Sequence, residues 1–473
     1  MEILDHIEKE AQDFLKFQET QEKMIAIFSH YDVDGLSSAA VLARTFKNLD
    51  IPFFIRIFDS LDKNIIKEIK EKSKNYACIF FLDLASSFIQ NLENFDCEVY
   101  IIDHHEIEKE KWGKSKLHLI NWRMFDDDYA TSSSILTYFF SSSLAKAKNK
   151  NSEENENGKN EKIALLGLIG DSMDKELSKL SSLFLKIARE KGAIEIKRGL
   201  RFFSYSKPIH KAIEFGSVYI PKITGDSANV IEFLHNLGID IKNGSGYRTL
   251  NDLSKDELSK LTTAVITSFS DEKSKSIDLV GNIYLIKLFD TVEDAKELAT
   301  IINACGRLGK SFVILAFLLG KRKAREIAEQ YYAKYKYEIF NGLKYVSRCI
   351  ENKENVIKGE NFIIINAKNV IRTSIIGVIC SMLANSCLYE QGFVIVGLAH
   401  EQDKVKVSVR IVESENKLNA FNLLQKVKEL SKLEFEVGGH ERAAGALLKI
   451  EQEKEFLKYL EKVLQEESMT IKI

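Results

Sequence analysis

The chain has 473 residues, 45% of them hydrophobic and 29% charged, with 67 basic against 69 acidic side chains and a net charge of −2. That length calls for two or three domains, and near-neutrality counts against a nucleic-acid coat that works by bulk charge. No run approaches the roughly 18 apolar residues of a membrane span, and the opening MEILDHIEKEAQDF lacks signal-peptide architecture. Cys78, Cys97, Cys305, Cys349, Cys380 and Cys387 show no CxxC spacing and read as reduced core thiols of a cytoplasmic protein with no membrane partner.

The N-terminal part alternates between helical and extended patterns. Residues 2–22 carry apolar positions at helical spacing, Met24 to Phe28 is an apolar strand, 36–48 a small-residue helix, Phe53 to Phe58 a strand and 62–74 a helix. Tyr76 to Leu82 and Glu98 to Ile102 are further strands, with 86–94 helical between them. This order predicts an α/β lobe on a parallel sheet with helices on both faces, and in such sheets ligands gather at the carboxyl ends of the strands. Ser29-His30-Tyr31-Asp32-Val33-Asp34-Gly35, Asp83 and Asp103-His104-His105 all stand at such ends. An extended chain sends His30, Asp32 and Asp34 to one side, where two carboxylates and an imidazole repel unless a cation sits among them. A turn with helix-capping carboxylates is the plainer alternative. Asp83 could likewise cap the next helix. Two adjacent histidines after an aspartate suit a ligand and the partner that orients it. A fourth candidate, Asp171, follows the apolar helix Ile163 to Ile169, where it is either a helix-end turn residue or a further carboxylate at the same edge.

Beyond this the segment Ser141 to Lys162 is polar and reads as a surface insertion. Residues 176–190 form an amphipathic helix, 196–290 are less legible, and Glu293 to Leu308 is helical. Lys321 to Glu351 is a long charge-rich helix that suits a connector. A second α/β unit follows, with strands Asn361 to Asn366, Phe393 to Leu398 and Lys404 to Ile411 around a helix from Thr373 to Leu388. Alternation puts Ser408 and Arg410 on one face of their strand. Gly438-Gly439-His440 reads either as a turn before a helix or as a glycine nest whose amides approach a phosphate.

Taken together, HYDVDG (30–35), FLDLA (81–85), DHHE (103–106) and GDSMD (170–174) resemble the motifs of the DHH phosphoesterase superfamily. GGHERAAG (438–445) resembles the GGHxxAAG motif of the DHH-associated domain, NACGR (303–307) the NAxGR segment of RecJ-type exonucleases, and VSVR (407–410) their S-x-R strand. The best match is the archaeal RecJ-like branch, which includes nucleases associated with the GINS component of the replicative helicase. The resemblance implies a DHH catalytic domain over 1–195 with a flexible insertion at about 145–161, a mainly helical extension over 196–320, a connecting helix over 321–351 and a smaller α/β substrate-binding domain over 352–473.

It also implies two Mn²⁺ ions, with Mg²⁺ as the other option. His30, Asp32 and Asp83 would hold one, and Asp34, Asp83, His104 and Asp171 the other, Asp83 bridging. His105 would contact the scissile phosphate and Asp103 would orient an imidazole. Asn303, Arg307, Ser408, Arg410, Gly438, Gly439 and His440 would contact substrate. Many bacterial RecJ proteins have Asp where this chain has His30, which bears on metal preference. The implied activity is a single-strand exonuclease on DNA or RNA that releases 5′-mononucleotides in replication or repair. A flexible strand threads a narrow channel that a duplex cannot enter. Two alternatives stand beside it: a DHH phosphodiesterase of short oligonucleotides or cyclic dinucleotides, and a helicase-associated scaffold. The NACGR segment argues against the first and the complete ligand set against the second.

Overall fold

The computed structural model describes residues 1–92, 94–107, 116–148, 158–216, 220, 223–244, 246–268, 280–386, 388–412 and 418–470. It divides into two units, Met1–Arg198 with Asn282–Tyr332, and Gly199–Gly281 with Ala333–Ile473. The segment 196–320 is therefore shared between the units, and it contains the strand Val280–Ile286 as well as helices.

In the first unit the chain runs α1 (Glu2–Gln18), β1 (Ile25–His30), α2 (Val33–Asn48), β2 (Phe53–Phe58), α3 (Lys63–Ser73), β3 (Cys78–Leu82), α4 (Ile89–Leu92), β4 (Glu98–Ile102), β5 (Leu117–Ile120), α5 (Ser133–Ala147), α6 (Lys159–Gly170) and α7 (Lys179–Glu190). The strands form one parallel sheet in the order β2-β1-β3-β4-β5. Successive side chains go to opposite faces. Ile25, Ile27, Phe80, Leu82 and Tyr100 pack with α1, α2, α5 and α6, while Ala26, Phe28, Ile79, Phe81 and Ile101 pack with α3 and α4. Burial on both faces is why the strands read as continuous apolar runs rather than as alternating ones. The chain passes from β1 out to β2 and then returns to β3 on the other flank. The crevice between β1 and β3 is thus the topological switch point, where side chains at the strand ends converge.

Two expectations change here. The polar stretch from Ser141 to Lys162 is helical at both ends: α5 continues to Ala147 and α6 already starts at Lys159. Ser141 and Leu144 face the core, and Glu161 is buried against Lys191 Nζ at 2.6 Å and Tyr138 Oη at 3.0 Å. Residues 149–157 of that stretch lie outside the described residues. The strand β5 was not expected, because Leu-His-Leu-Ile is too short to display a period.

The second unit is built on a mixed sheet ordered Val356–Lys358, Phe362–Asn366, Val394–Glu401, Lys404–Ile411, Ala443–Lys449 and Glu436–His440. One face packs Val396, Leu398, Val405 and Val407 against Leu424 and Val427 of the helix Ala420–Ser431 and against Phe456, Leu460 and Val463 of the C-terminal helix. The other face meets the helix Thr373–Ala384, whose Cys380 and Ile376 lie over Gly397 so closely that a Cβ there would sit 2.5 Å from Cys380 Sγ. Among the described residues Cys78, Cys97, Cys305, Cys349 and Cys380 are unpaired and buried.

The register of β3, β4 and β5 aligns Phe80, Tyr100 and His118 in one row across the sheet. Their rings stack, at 4.8 Å for Phe80 on Tyr100 and 4.2 Å for Tyr100 on His118. His118 then bonds Glu10 of α1 at 2.7 Å and Glu98 of β4 at 3.1 Å, which ties the N-terminal helix to the edge strand. Burial opposes a charge on this ring, but the hydrogen bonds to Glu10 and Glu98 outweigh it and raise its pKa above the ordinary 6.5. A value raised on folding means that the charged triad stabilises the fold fully below the unfolded pKa and loses that contribution as pH rises through the folded one. His118→Gln is expected to lower the melting temperature by about 2–4 °C in mildly acid buffer and by clearly less in alkaline buffer. An equal loss in both, read by circular dichroism, would mean that stacking rather than charge secures α1.

Candidate metal centre

The first motif is shaped by one capping interaction. Asp32 is extended and accepts a hydrogen bond from the Gly35 N–H at 3.0 Å, so α2 begins at Val33 rather than at Leu36. Gly35 is needed because a Cβ there would lie 2.5 Å from His30 O. The single-face argument from an extended chain therefore fails for Asp34, which lies in the first turn of α2 and approaches the crevice from the helix. The metal and capping readings of this motif are compatible. Asp32 caps α2 with Oδ1 and keeps Oδ2 2.9 Å from His30 Nδ1.

Asp83 follows β3 and is 1% exposed. It does not cap the next helix: its backbone is left-handed, with φ 58°, and its N–H donates to Ile102 O at 2.9 Å. Such a conformation costs about 1–3 kcal/mol where the residue is not glycine. It turns the carboxylate into the crevice, where the two oxygens part company. Oδ2 lies 3.3 Å from His30 Nδ1, and Oδ1 lies 3.4 Å from His104 Nε2. His104 Nε2 is also 3.4 Å from Asp171 Oδ2, at the end of α6. The cap expected of Asp83 is supplied by Asp103, whose Oδ2 accepts from the Ser86 N–H at 3.0 Å. Asp103 Oδ1 receives the His104 N–H at 2.8 Å and holds His105 Nδ1 at 2.7 Å.

One atom from each of His30, Asp32 and Asp83 lies within 4.8 Å of the others, and the same holds for Asp34, His104 and Asp171 and for Asp83, His104 and His105. These are groups that could hold a metal ion, and a mixed imidazole and carboxylate donor set suits a first-row divalent ion. The electrostatics point the same way. Burial pushes the Asp34 carboxyl up to about 6, with the Asp83 charge adding to it. Burial raises Asp32 and Asp171 as well, followed by the charges of neighbouring aspartates. Burial would keep His30 and His104 neutral, yet hydrogen bonds to Asp32 and Asp83 lift His30 to about 11, and the bond to Asp83 lifts His104 to about 10. Asp83 is held well below the usual carboxylate range, its own burial being overcome by those two rings. The carboxylates thus draw whatever positive charge they can reach, which is the condition a cation relieves.

Several residues that hold this geometry escaped the sequence reading. Asn121 Nδ2 donates to His105 O at 2.9 Å and Arg123 Nε to His104 O at 3.1 Å, so the segment after β5 fixes the histidine turn. Ser133 and Ser134 at the start of α5 meet Asp34. The only available signal was a polar cluster just after an unrecognised strand and just before an apolar helix. Of the expected substrate contacts, Asn303 lies in the first unit and accepts from the Val33 N–H at 3.2 Å, while Arg307 is exposed. Gly306, on the same helix (Ala295–Arg307), packs so tightly that a Cβ would sit 2.3 Å from Tyr31 O.

Ser408, Arg410, Gly438, Gly439 and His440 belong to the second unit. Ser408 pairs with Gly445, which pairs with Gly438; Arg410 pairs with Ala443, which pairs with His440. The glycines lie in an edge strand, neither in a turn before a helix nor in a nest. Gly439 has φ 127°, and a Cβ there would strike Ala443 O at 2.4 Å, whereas Gly438 faces open space. Arg410 is steadied by Nε donating to Ser381 Oγ at 2.8 Å.

Comparison with known proteins places three family models along the chain in order: the DHH family N-terminal domain over residues 24–170, the DHH-CID domain over 202–278 and the DHHA1 domain over 359–466. An uncharacterized protein of Methanocaldococcus jannaschii is 26% identical over 473 residues, covering 99% of both chains. Among solved structures, exonuclease RecJ bound to manganese superposes with a TM-score of 0.58 at 15% identity, over 96% of this chain and 93% of that one. CDC45 from Entamoeba histolytica gives 0.61 at 12% identity, over 98% of each. RecJ of Thermus thermophilus in complex with Mn²⁺ gives 0.59 at 15% identity over 97% of this chain, which spans 54% of that protein. At these identities the likeness is one of fold. No described helix is long and apolar enough to cross a membrane.

Gly306→Ala must displace the backbone at Tyr31, between His30 and Asp32. It is expected to weaken divalent-metal binding by about 10–100-fold, measured by calorimetric titration with Mn²⁺, while the far-ultraviolet spectrum stays unchanged.

Proposed function

Since the chain is a RecJ-like member of the DHH superfamily, we propose that it is a metal-dependent single-strand exonuclease that hydrolyses phosphodiester bonds and releases 5′-mononucleotides. The observation that carries this is the convergence of every candidate ligand on one crevice, with the two oxygens of Asp83 turned to opposite halves of it. His30, Asp32 and Asp83 are assigned to one Mn²⁺, and Asp34, Asp83, His104 and Asp171 to a second. Two such ions supply an ionised water for in-line attack and neutralise charge on the phosphoryl group.

The remaining roles fall to the chain's own side chains. His105 is 56% exposed, and its Nδ1 is committed to Asp103, which leaves Nε2 to meet a phosphate oxygen in a defined orientation. Asp103, buried and tied to Ser86 and His104, fixes that ring. Asn303 offers its amide N–H groups to the strand, and Arg307 adds an exposed charge. In the second unit the row Ser408, Gly445 and Gly438 is almost free of side chains, with Arg410 two rows along on the same face. Such a surface lets a nucleotide approach backbone groups; the His440 side chain, expected to join this contact, lies outside what the structure describes. Retention of all the ligands favours catalysis over scaffolding, and association with GINS in the replicative helicase is a further partnership that the motif resemblance implies.

Incubation of 5′- and 3′-labelled single strands, DNA and RNA, with Mn²⁺ is expected to give stepwise shortening, the surviving label fixing the direction. Asp34→Ala and His104→Ala are each expected to abolish it without loss of fold. Hydrolysis by Asp83→Ala would remove the bridging assignment, and a preference for cyclic dinucleotides over long strands would replace the exonuclease reading. Arg410→Ala should raise KM about tenfold through loss of a charged hydrogen bond, with kcat little changed.

A further inference from the structure

The helix α5 begins in the run Ala130-Thr131-Ser132-Ser133-Ser134, and none of those serines caps it in the ordinary way. Ser132 stands at the N-cap position but makes no side-chain bond to the helix; its Oγ pairs with Ser134 Oγ at 2.8 Å instead. Ser134 Oγ donates to Ala164 O of α6 at 2.9 Å. The first amides of α5, which a helix leaves without internal partners, are taken by a carboxylate distant in sequence. The Ser133 N–H donates to Asp34 Oδ2 at 2.6 Å, and the Ser134 N–H to Asp34 Oδ1 at 2.9 Å. Asp34 therefore serves as the cap of α5, and the positive end of that helix dipole favours its charge.

Ser133 does one thing more. Its side chain is wholly buried, and its Oγ donates to Asp83 Oδ1 at 3.1 Å. That oxygen is the one nearest His104, while Oδ2 serves His30. A carboxylate has about four lone-pair sites, so one donor on Oδ1 leaves room for an ion while fixing the rotation of the group. The surroundings allow little else to settle there. A Cβ on Gly167 of α6 would lie 2.3 Å from Asp34 Oδ1 and 2.2 Å from Ser134 Oγ, so α6 closes on this corner as far as a backbone can.

We infer that Ser133 is a positioning residue of the metal centre, its hydroxyl orienting the shared carboxylate of Asp83 while its backbone N–H anchors Asp34. One serine thereby sets the relative placement of two ligands, one of them the carboxylate whose oxygens face both halves of the crevice. This rests on the reading of the crevice as a divalent-metal site, and the experiment separates the two. Mn²⁺ is titrated into the purified full chain by calorimetry, with electron paramagnetic resonance of the bound ions as a second readout. The wild type is compared with Ser133→Ala, Ser133→Thr and Ser141→Ala. Ser141 is a buried serine of the same helix whose hydroxyl has no partner, so it controls for loss of a buried hydroxyl as such. Ser133→Ala is expected to bind Mn²⁺ about 10–100-fold more weakly and to lose the signature of coupled ions. Ser133→Thr, which keeps the hydroxyl, should restore both, and Ser141→Ala should match wild type. If Ser133→Ala does not fold, Ser133→Gly removes the same hydroxyl and keeps the backbone N–H that binds Asp34, and the same outcomes apply. Unchanged affinity in the hydroxyl-free variant beside a metal-binding wild type overturns the role of Ser133 alone. A wild type that binds no Mn²⁺ overturns the metal centre itself.

Discussion

Asp32, Asp34, Asp83 and Asp171 are brought to one end of a parallel sheet, with Asp34 and Asp83 buried there, and their mutual repulsion is the constraint around which the first unit is arranged. Buried charges of one sign are held only by compensating charge and hydrogen bonds. The fold provides three kinds of compensation: imidazoles facing Asp83 from both sides, backbone amides at the start of α5, and a hydroxyl from Ser133. None of these cancels the charge completely. Four carboxylates would match the charge of two divalent cations, and binding of such ions would release protons held by the imidazoles.

The sheet was legible because both its faces are buried. Runs such as Cys78–Leu82 are apolar throughout, and their regular alternation with helical stretches marks them as strands of a parallel sheet. The positions of His30, Asp83 and His104 were legible for the same reason, since a polar residue ending such a run must lie at the sheet edge. What the sequence concealed was decided by contacts distant along the chain. That Asp34 acts from a helix follows from the local cap of Asp32, but its task of capping α5 depends on a serine 99 positions away. β5 owes its place to Tyr100 and Glu10 rather than to its own four residues. In the second unit Gly438 and Gly439 read as turn residues, and only the pairing with Gly445 and Ala444 reveals a strand.

The segment Asn282–Tyr332 shows why a division of the chain into consecutive stretches does not follow its packing units. The chain departs from the first unit after Arg198 and comes back at Asn282, then delivers the helix Ala295–Arg307 against the start of α2. Periodicity does not mark that return, because the helix is amphipathic like any surface helix of either unit, and only the NACGR motif sets it apart. Its close approach at Gly306 and its bond from Asn303 to Val33 make the backbone around the first motif depend on residues about 270 positions later in the chain.

The left-handed backbone of Asp83 has an evolutionary corollary. Among residues that carry a side chain, asparagine enters that region as readily as aspartate, and the two codons differ by one base. Asparagine at 83 would keep the volume, the turn and an acceptor for the Ser133 hydroxyl, while the central negative charge would disappear. A lineage could therefore remove the central charge of this crevice and keep the backbone turn that residue 83 makes. The descendants would keep the framework and differ in what the crevice attracts.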